Sequence, residues 1–309
     1  MKGSLKIFTL ANIPVFIHWS FWLLGIFLIY YGWSAELDGR EFAVFLFLFF
    51  VLFLCVVLHE YGHALMARHF GVKTRDIILL PLGGIARLEK LPHKPMQEFL
   101  VAAAGPAVNF LLAIILAAVL YFDQDSDFIG RIFTRRGALI LSWKKVVPIL
   151  FLLNISLVVM NLFPAFPLDG GRMFRALLAI KMGRLRATQI ASRTGQFFAV
   201  VLVGYGLYAK DLMSILIGLF IFTMAKREFQ SMRTEAVLSA HTIREAFLNI
   251  LPPDTNEMAQ SVNVDLSIWE GLEKLRASKQ SFLLVKDGEE DLGILNYESI
   301  NQFLKTKTN

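Results

Sequence analysis

Long apolar runs broken by short clusters of charge set the rhythm of this 309-residue chain. The first runs from about Ile13 to Trp33 and is rich in Trp and Phe. The second opens at Phe42, stays apolar without interruption to Leu58, and continues through His59 to Phe70. A third covers Glu98 to Phe122 and a fourth Val146 to Phe163. Two shorter runs, Phe197 to Tyr208 and Leu212 to Met224, are separated only by Ala209-Lys210-Asp211, which fits a helical hairpin. A helix needs about 20 apolar residues to cross a bilayer, so the pattern predicts six transmembrane helices. Between the second and third runs the texture changes. Ile77 to Leu80, then Pro81 and Gly83-Gly84, then Ile85 to Leu88 are too short and too broken for a span and predict a membrane-associated β-hairpin.

After about Arg233 the chain turns polar. This divides it into a membrane-embedded domain, 1–232, and a small α/β domain, 233–309. In the latter, Asp265-Leu266-Ser267 caps a helix with Ile268, Leu272 and Leu275 at helical spacing. Ser281 to Lys286 and Leu292 to Asn296 read as strands around an Asp287-Gly288 turn, and Tyr297 to Leu304 as a closing helix. The fold class is therefore mainly α, a polytopic membrane protein with a small α/β appendage.

Composition agrees. Hydrophobic residues make up 56% and charged residues 18%, and mean hydropathy is +0.56, which excludes an ordinary soluble domain. The net charge of +6 does not point to nucleic acid, because Lys and Arg gather in loops beside the apolar runs. Lys2 and Lys6, then Arg68, Lys73, Arg75, Arg87, Lys90 and Lys94, then Lys181, Arg184, Arg186 and Arg193, then Lys226, Arg227 and Arg233 all fall on one side if both termini are cytoplasmic. Arg131, Arg135, Arg136, Lys144 and Lys145 are the exception. The single cysteine, Cys55, excludes a disulfide within the chain and a cysteine metal cluster. No small-residue cleavage site follows the first run, which reads as a retained span and not a signal peptide.

The chemistry sits at the end of the second run, in His59-Glu60-Tyr61-Gly62-His63. On a helix, histidines four apart share a face and can reach one metal ion. The Glu between them can act as general base toward a water at that metal. Ionisable groups beside a long apolar run are costly unless paired or ligated, which favours a metal over three chance polar residues. A third ligand should lie at membrane depth. His18 fits an aromatic interface, His69 faces elsewhere on the helix, and His93 and His241 lie in polar segments. Asp169 is the best candidate. It follows a span broken by Pro164 and Pro167, and Gly170-Gly171 let backbone approach closely. A plain helix cap is the alternative for Asp169. The Asn161 amide can serve a developing oxyanion or merely bond a neighbouring helix.

Together with the Gly-Gly hairpin, Gly105-Pro106-Ala107-Val108-Asn109, and the stretch Asn161-Leu162-Phe163-Pro164-Ala165-Phe166-Pro167-Leu168-Asp169-Gly170-Gly171, these residues resemble the site-2 protease family, intramembrane zinc metalloproteases of the M50 clan. The resemblance covers about the first 225 residues. It implies one Zn2+ per chain on His59, His63 and Asp169, with Glu60 activating water and Asn161 holding the substrate carbonyl or oxyanion. It implies that Leu80, Pro81, Leu82, Gly83, Gly84 and Ile85 present an edge to which an unwound, membrane-tethered protein substrate adds as a strand, as in regulated intramembrane proteolysis. Main-chain pairing to an exposed edge is an independent reason to expect this. Gly105 and Asn109 are assigned to tight helix packing. Val262 to Leu304 is similar to a single cystathionine-β-synthase (CBS) repeat. That places the chain with the subgroup that includes the sporulation protease of pro-sigma-factor processing. Such repeats work in pairs, which suggests a homodimer. Adenine-nucleotide binding is uncertain, because Asn296 and Glu298 stand where the repeat usually has Ser or Thr and then Asp. A bacterial or archaeal plasma membrane is the expected location. The alternatives are a transporter or channel with a cytosolic CBS regulatory domain, and a catalytically dead scaffold. Against the first, there is no clear internal repeat and no need for Glu60. The complete His59, Glu60, His63 and Asp169 set argues against the second.

Overall fold

The computed structural model describes residues 3–81, 83–89, 92, 94–122, 141–248, 260–278 and 280–308. The chain forms two compact units, Met1–Ala225 and Lys226–Asn309.

The first unit opens with two strands, β1 (Ser4–Leu10) and β2 (Ile13–His18), then α1 (Phe21–Ser34) and the long α2 (Gly39–His69). Strands β3 (Thr74–Leu80) and β4 (Gly83–Leu88) follow, then α3 (Pro95–Phe122), α4 (Val146–Leu162), α5 (Asp169–Met182), α6 (Arg184–Ala209) and α7 (Leu212–Ser239), which ends in the second unit. Among the described residues, four helical segments are long and apolar enough to cross a membrane: α2, α3, Trp143–Leu162 and α6. With 14 residues, α1 spans about 21 Å, against about 30 Å for a bilayer core.

The expected first span is thus divided. Its leading part, Ile13–His18, is a strand. Pro14 has no N–H to continue a helical ladder, and Ile13 and Val15, two apart on one strand face, are buried beneath α2 with Val57, Tyr61 and Ala64. The expected hairpin is correspondingly half of a four-stranded sheet, ordered β1-β2-β3-β4. The β2/β3 pairing is parallel and the outer two are antiparallel. Ala11 and Asn12, both at positive φ, make the tight β1–β2 turn. That turn is tied to α2: the Tyr61 hydroxyl donates to the carbonyls of Leu10 (3.2 Å) and Ile13 (3.1 Å), and the Arg68 guanidinium donates to that of Ala11.

Asp38 caps α2, accepting from the amides of Arg40 and Glu41, while Glu41 accepts from the Asp38 amide. At the other end of the helix Gly62 lets α3 come close. A Cβ there would lie 2.7 Å from the Ala104 carbonyl oxygen. On α3 the buried residues Glu98, Val101, Ala102, Gly105, Pro106, Asn109 and Ala113 recur at helical spacing as one stripe. Pro164 and Pro167 fall in the break between α4 and α5, as their missing donors dictate. Lys210 and Asp211 join α6 and α7 as the expected helical hairpin, with Gly206 against Ile215 and Gly218 against Val203.

In the second unit β5 (Ser261–Asn263), α8 (Ile268–Ser278), β6 (Phe282–Asp287), β7 (Glu290–Asn296) and α9 (Tyr297–Thr308) surround one core. The sheet order is β5-β6-β7, parallel between the first two and antiparallel between the last two. Ile268, Leu275, Leu283, Val285 and Leu295 are fully buried there. Leu82, His93, Arg131, Arg135 and Arg136 lie outside the described residues.

Gly62→Ala should lower stability by about 1–3 kcal/mol, the usual cost of overpacking, because backbone and not a flexible side chain fills the space. Chemical unfolding of the purified protein in micelles measures it. Unchanged stability would mean that α2 and α3 separate freely.

Candidate metal centre

Helix α2 delivers His59 and His63 one turn apart, and α5 delivers Asp169 as its first residue. The His59 Nε2 to Asp169 Oδ2 distance is 3.0 Å, His63 Nε2 to the same oxygen 3.1 Å, and the two Nε2 atoms stand 3.1 Å apart. All three residues are buried, and among the described residues they are the one such group able to hold a metal ion.

Their hydrogen bonds select one tautomer for each neutral ring. His63 Nδ1 lies 2.7 Å from the Val101 carbonyl. A carbonyl can only accept, so Nδ1 is the donor, and in the neutral imidazole, the form that ligates a metal, Nε2 keeps its lone pair. For His59 the chain of reasoning is longer. The Asn154 amide nitrogen donates to the Leu150 carbonyl at 2.9 Å, which turns the Asn154 oxygen toward Asn109 Nδ2 at 3.0 Å. The Asn109 oxygen must then face His59, where it accepts from Nδ1 at 2.6 Å. Both Nε2 lone pairs and a carboxylate oxygen therefore converge on one point. Three electron-rich atoms so placed repel one another until a cation lies between them. Ligands 2.0–2.1 Å from a tetrahedral zinc ion stand about 3.3–3.4 Å apart, within about 0.3 Å of the observed triangle. The site fits the ion.

Helix α3 forms the wall behind the imidazoles. A Cβ on Gly105 would lie 2.3 Å from His63 Nε2 and 2.6 Å from His59 Nε2, so only glycine leaves the site open. Asn109, one turn further along the same stripe and fully buried, orients His59. The sequence reading assigned Asn109 to packing and passed over Asn154. The available signal was a lone amide inside an apolar run, which is costly in lipid unless bonded.

Glu60 reaches the opposite wall. Its Oε2 accepts from the Ala86 amide of β4 at 2.9 Å, and its Cγ lies 2.5 Å from where a Cβ on Gly84 would be. Among the described residues β4 pairs with β3 alone, so its other edge is the one that meets Glu60. Leu80 closes β3, Pro81 sits in the turn, and Gly83 and Gly84 open β4 followed by the exposed Ile85. Asn161 stands apart from the three ligands. It lies in the last turn of α4, its amide donating to the Leu157 carbonyl at 3.0 Å. His18 is bonded to Ser20 Oγ at 2.7 Å, and the His69 ring packs on Phe70.

A metal centre of HExxH type, built into helices of membrane-crossing length, defines the class of protein. The chain belongs to Peptidase family M50, whose profile matches residues 47–202. It is 35% identical over 238 residues to the zinc metalloprotease MJ0392 of Methanocaldococcus jannaschii, covering 77% of this chain and 64% of that protein. It is 28% identical over 200 residues to stage IV sporulation protein FB of Bacillus subtilis, covering 63% of this chain and 62% of that one. The solved site-2 protease from Methanocaldococcus jannaschii superposes with a TM-score of 0.52 at 35% identity, over 73% of this chain and 95% of the other. The chain thus spans less than two thirds of the length of these two curated relatives. The relative MJ0392 is named a zinc metalloprotease, and the His59, His63 and Asp169 donor set is of the type that suits zinc.

Asn109→Ala should weaken zinc binding about 10- to 100-fold, the usual effect of removing a group that orients a ligand, with the fold intact. Gly105→Ala should abolish binding outright. Chelator competition on the purified protein measures both. Wild-type affinity in either variant would separate α3 from the metal centre.

Proposed function

We propose that this protein is an intramembrane zinc metalloendopeptidase that hydrolyses peptide bonds of membrane-tethered proteins. The observation that carries the reading is the convergence of His59, His63 and Asp169 on one point, with Glu60 on the same helix turn. Zinc supplies a Lewis acid there when bound. Glu60 takes a proton from water as the water oxygen bonds to the scissile carbonyl carbon. It then gives that proton to the amide nitrogen as the C–N bond breaks. The edge of β4 that faces away from β3 receives the substrate as an added strand, and the stretch Leu80, Pro81, Leu82, Gly83, Gly84 and Ile85 is the proposed substrate-binding segment. Contact of Gly84 and Ala86 with Glu60 supports this. Asn161 turns from Leu157 to hold the substrate carbonyl. Its place at the end of α4, beside the break that leads to Asp169, supports that role.

The six-span arrangement adds α1 and the apolar first half of α7 to the four long segments, with both termini cytoplasmic in a plasma membrane. Lys226 and Arg227, just past the apolar half of α7, support that orientation. Residues 233–309 form a single CBS-like repeat that pairs with that of a second copy, a reading supported by its β-α-β-β-α order. We assign no nucleotide to it, since the Asn296 side chain accepts from the Ser299 amide and so caps α9.

Glu60→Gln should keep full zinc occupancy and lose at least about a hundredfold in turnover, the usual contribution of a general base. Metal analysis and a cleavage assay on the same preparation check both. In cells, quantitative membrane proteomics should show an intact substrate accumulating with the variant. Retained cleavage would remove Glu60 from the mechanism.

A further inference from the structure

The zinc ligands come from two helices, α2 and α5, and something must hold α5 in register. We propose that the buried Glu98–Arg175 ion pair is a positioning device for the metal centre: it locks α5 against α3 and so sets where Asp169 stands relative to His59 and His63. The proposal rests on the metal-centre reading above.

Arg175 has no exposed surface and Glu98 only 2%. The Arg175 Nε donates to Glu98 Oε1 at 2.8 Å, and its Nη2 donates to the same oxygen. The pair joins residues 77 apart in sequence. The guanidinium also lies 5.1 Å from the centroid of the Phe166 ring. Phe166 belongs to the break before α5, three residues ahead of Asp169, and Arg175 follows Asp169 by six. The Arg175 side chain therefore brackets the ligand from both sides. On α3, Glu98 lies one turn before Val101, whose carbonyl orients His63. A stiff path of about 9 Å along α5 and about 4.5 Å along α3 closes the loop from Asp169 through the pair to His63.

Packing alone does not account for the pair. Two buried charges are often no more stabilising than an apolar pair of the same volume. A forked guanidinium on one carboxylate adds something an apolar contact lacks: it fixes one register and resists sliding.

The test uses the full-length protein in micelles. Zinc affinity is read by chelator competition, and thermal unfolding is read on metal-stripped protein. The double variant Glu98→Leu/Arg175→Met removes both charges of the pair together; Arg184, whose Nη2 lies 3.8 Å from Glu98 Oε2, keeps part of its side chain in contact with solvent. The double variant should unfold at or above the wild-type temperature without metal, yet bind zinc 10- to 100-fold more weakly. Cleavage by the variant should return as zinc is raised. A folded double variant with wild-type zinc affinity overturns the proposal. If the double variant does not fold, Arg175→Lys carries the test. It keeps the charge pair and loses the fork, so unchanged zinc affinity there overturns the proposal equally. His63→Ala run alongside separates the two claims. If it binds zinc as well as the wild type does, the metal-centre reading fails, and not merely the positioning role of the pair.

Discussion

Two imidazole lone pairs and a carboxylate oxygen aimed at one point, with 3.0–3.1 Å between them, are the constraint around which the first unit is organised. Left alone, such groups would rotate apart or exchange protons. Here hydrogen bonds on the far side of each ring hold the imidazoles against rotation. Each Nδ1 is committed to an acceptor that cannot reciprocate, the Val101 carbonyl for His63 and the Asn109 oxygen for His59. The repulsion that remains at the Nε2 atoms is the affinity for a cation, held ready by hydrogen bonds formed elsewhere.

Helix α3 holds most of those bonds. Its buried stripe meets Arg175 at Glu98, His63 at Val101, both imidazoles at Gly105, and His59 and Asn154 at Asn109. None of these residues is a ligand. In water, an apolar stripe would be enough to dock such a helix. In lipid it would confer little preference for one register over another, since tails are as apolar as the partner helix. Polar contacts at successive turns supply the register that hydrophobicity cannot.

What could be read from the sequence follows the range of the interaction. His59, Glu60 and His63 are local in sequence, so their spacing alone placed them on one helix turn. Asp169 was legible because Pro164 and Pro167 mark a break at membrane depth, where a carboxylate needs a reason. The β1–β2 hairpin was not. Ile13 to His18 has a span's composition, and its identity as a strand depends on burial under Val57 and Tyr61, some 40 residues away. The same holds for Asn109, Asn154 and the Glu98–Arg175 pair. Each bonds a residue far away in sequence, and only the fold discloses its partner.

The edge of β4 carries the argument from binding to chemistry. An unpaired strand edge is normally a liability, because it offers donors and acceptors to any extended chain. Here the Ala86 amide on that edge is engaged by Glu60, and Gly84 lacks a side chain where Glu60 passes. On the proposed function, an extended chain added along this edge comes to lie against Glu60, with the peptide bonds it hid as a helix exposed beside the proposed general base. On that reading, the edge that selects an unwound substrate and the carboxylate that takes the proton from the attacking water are in contact. On the proposed function, a protease at membrane depth then needs no separate step to bring the opened chain to its base.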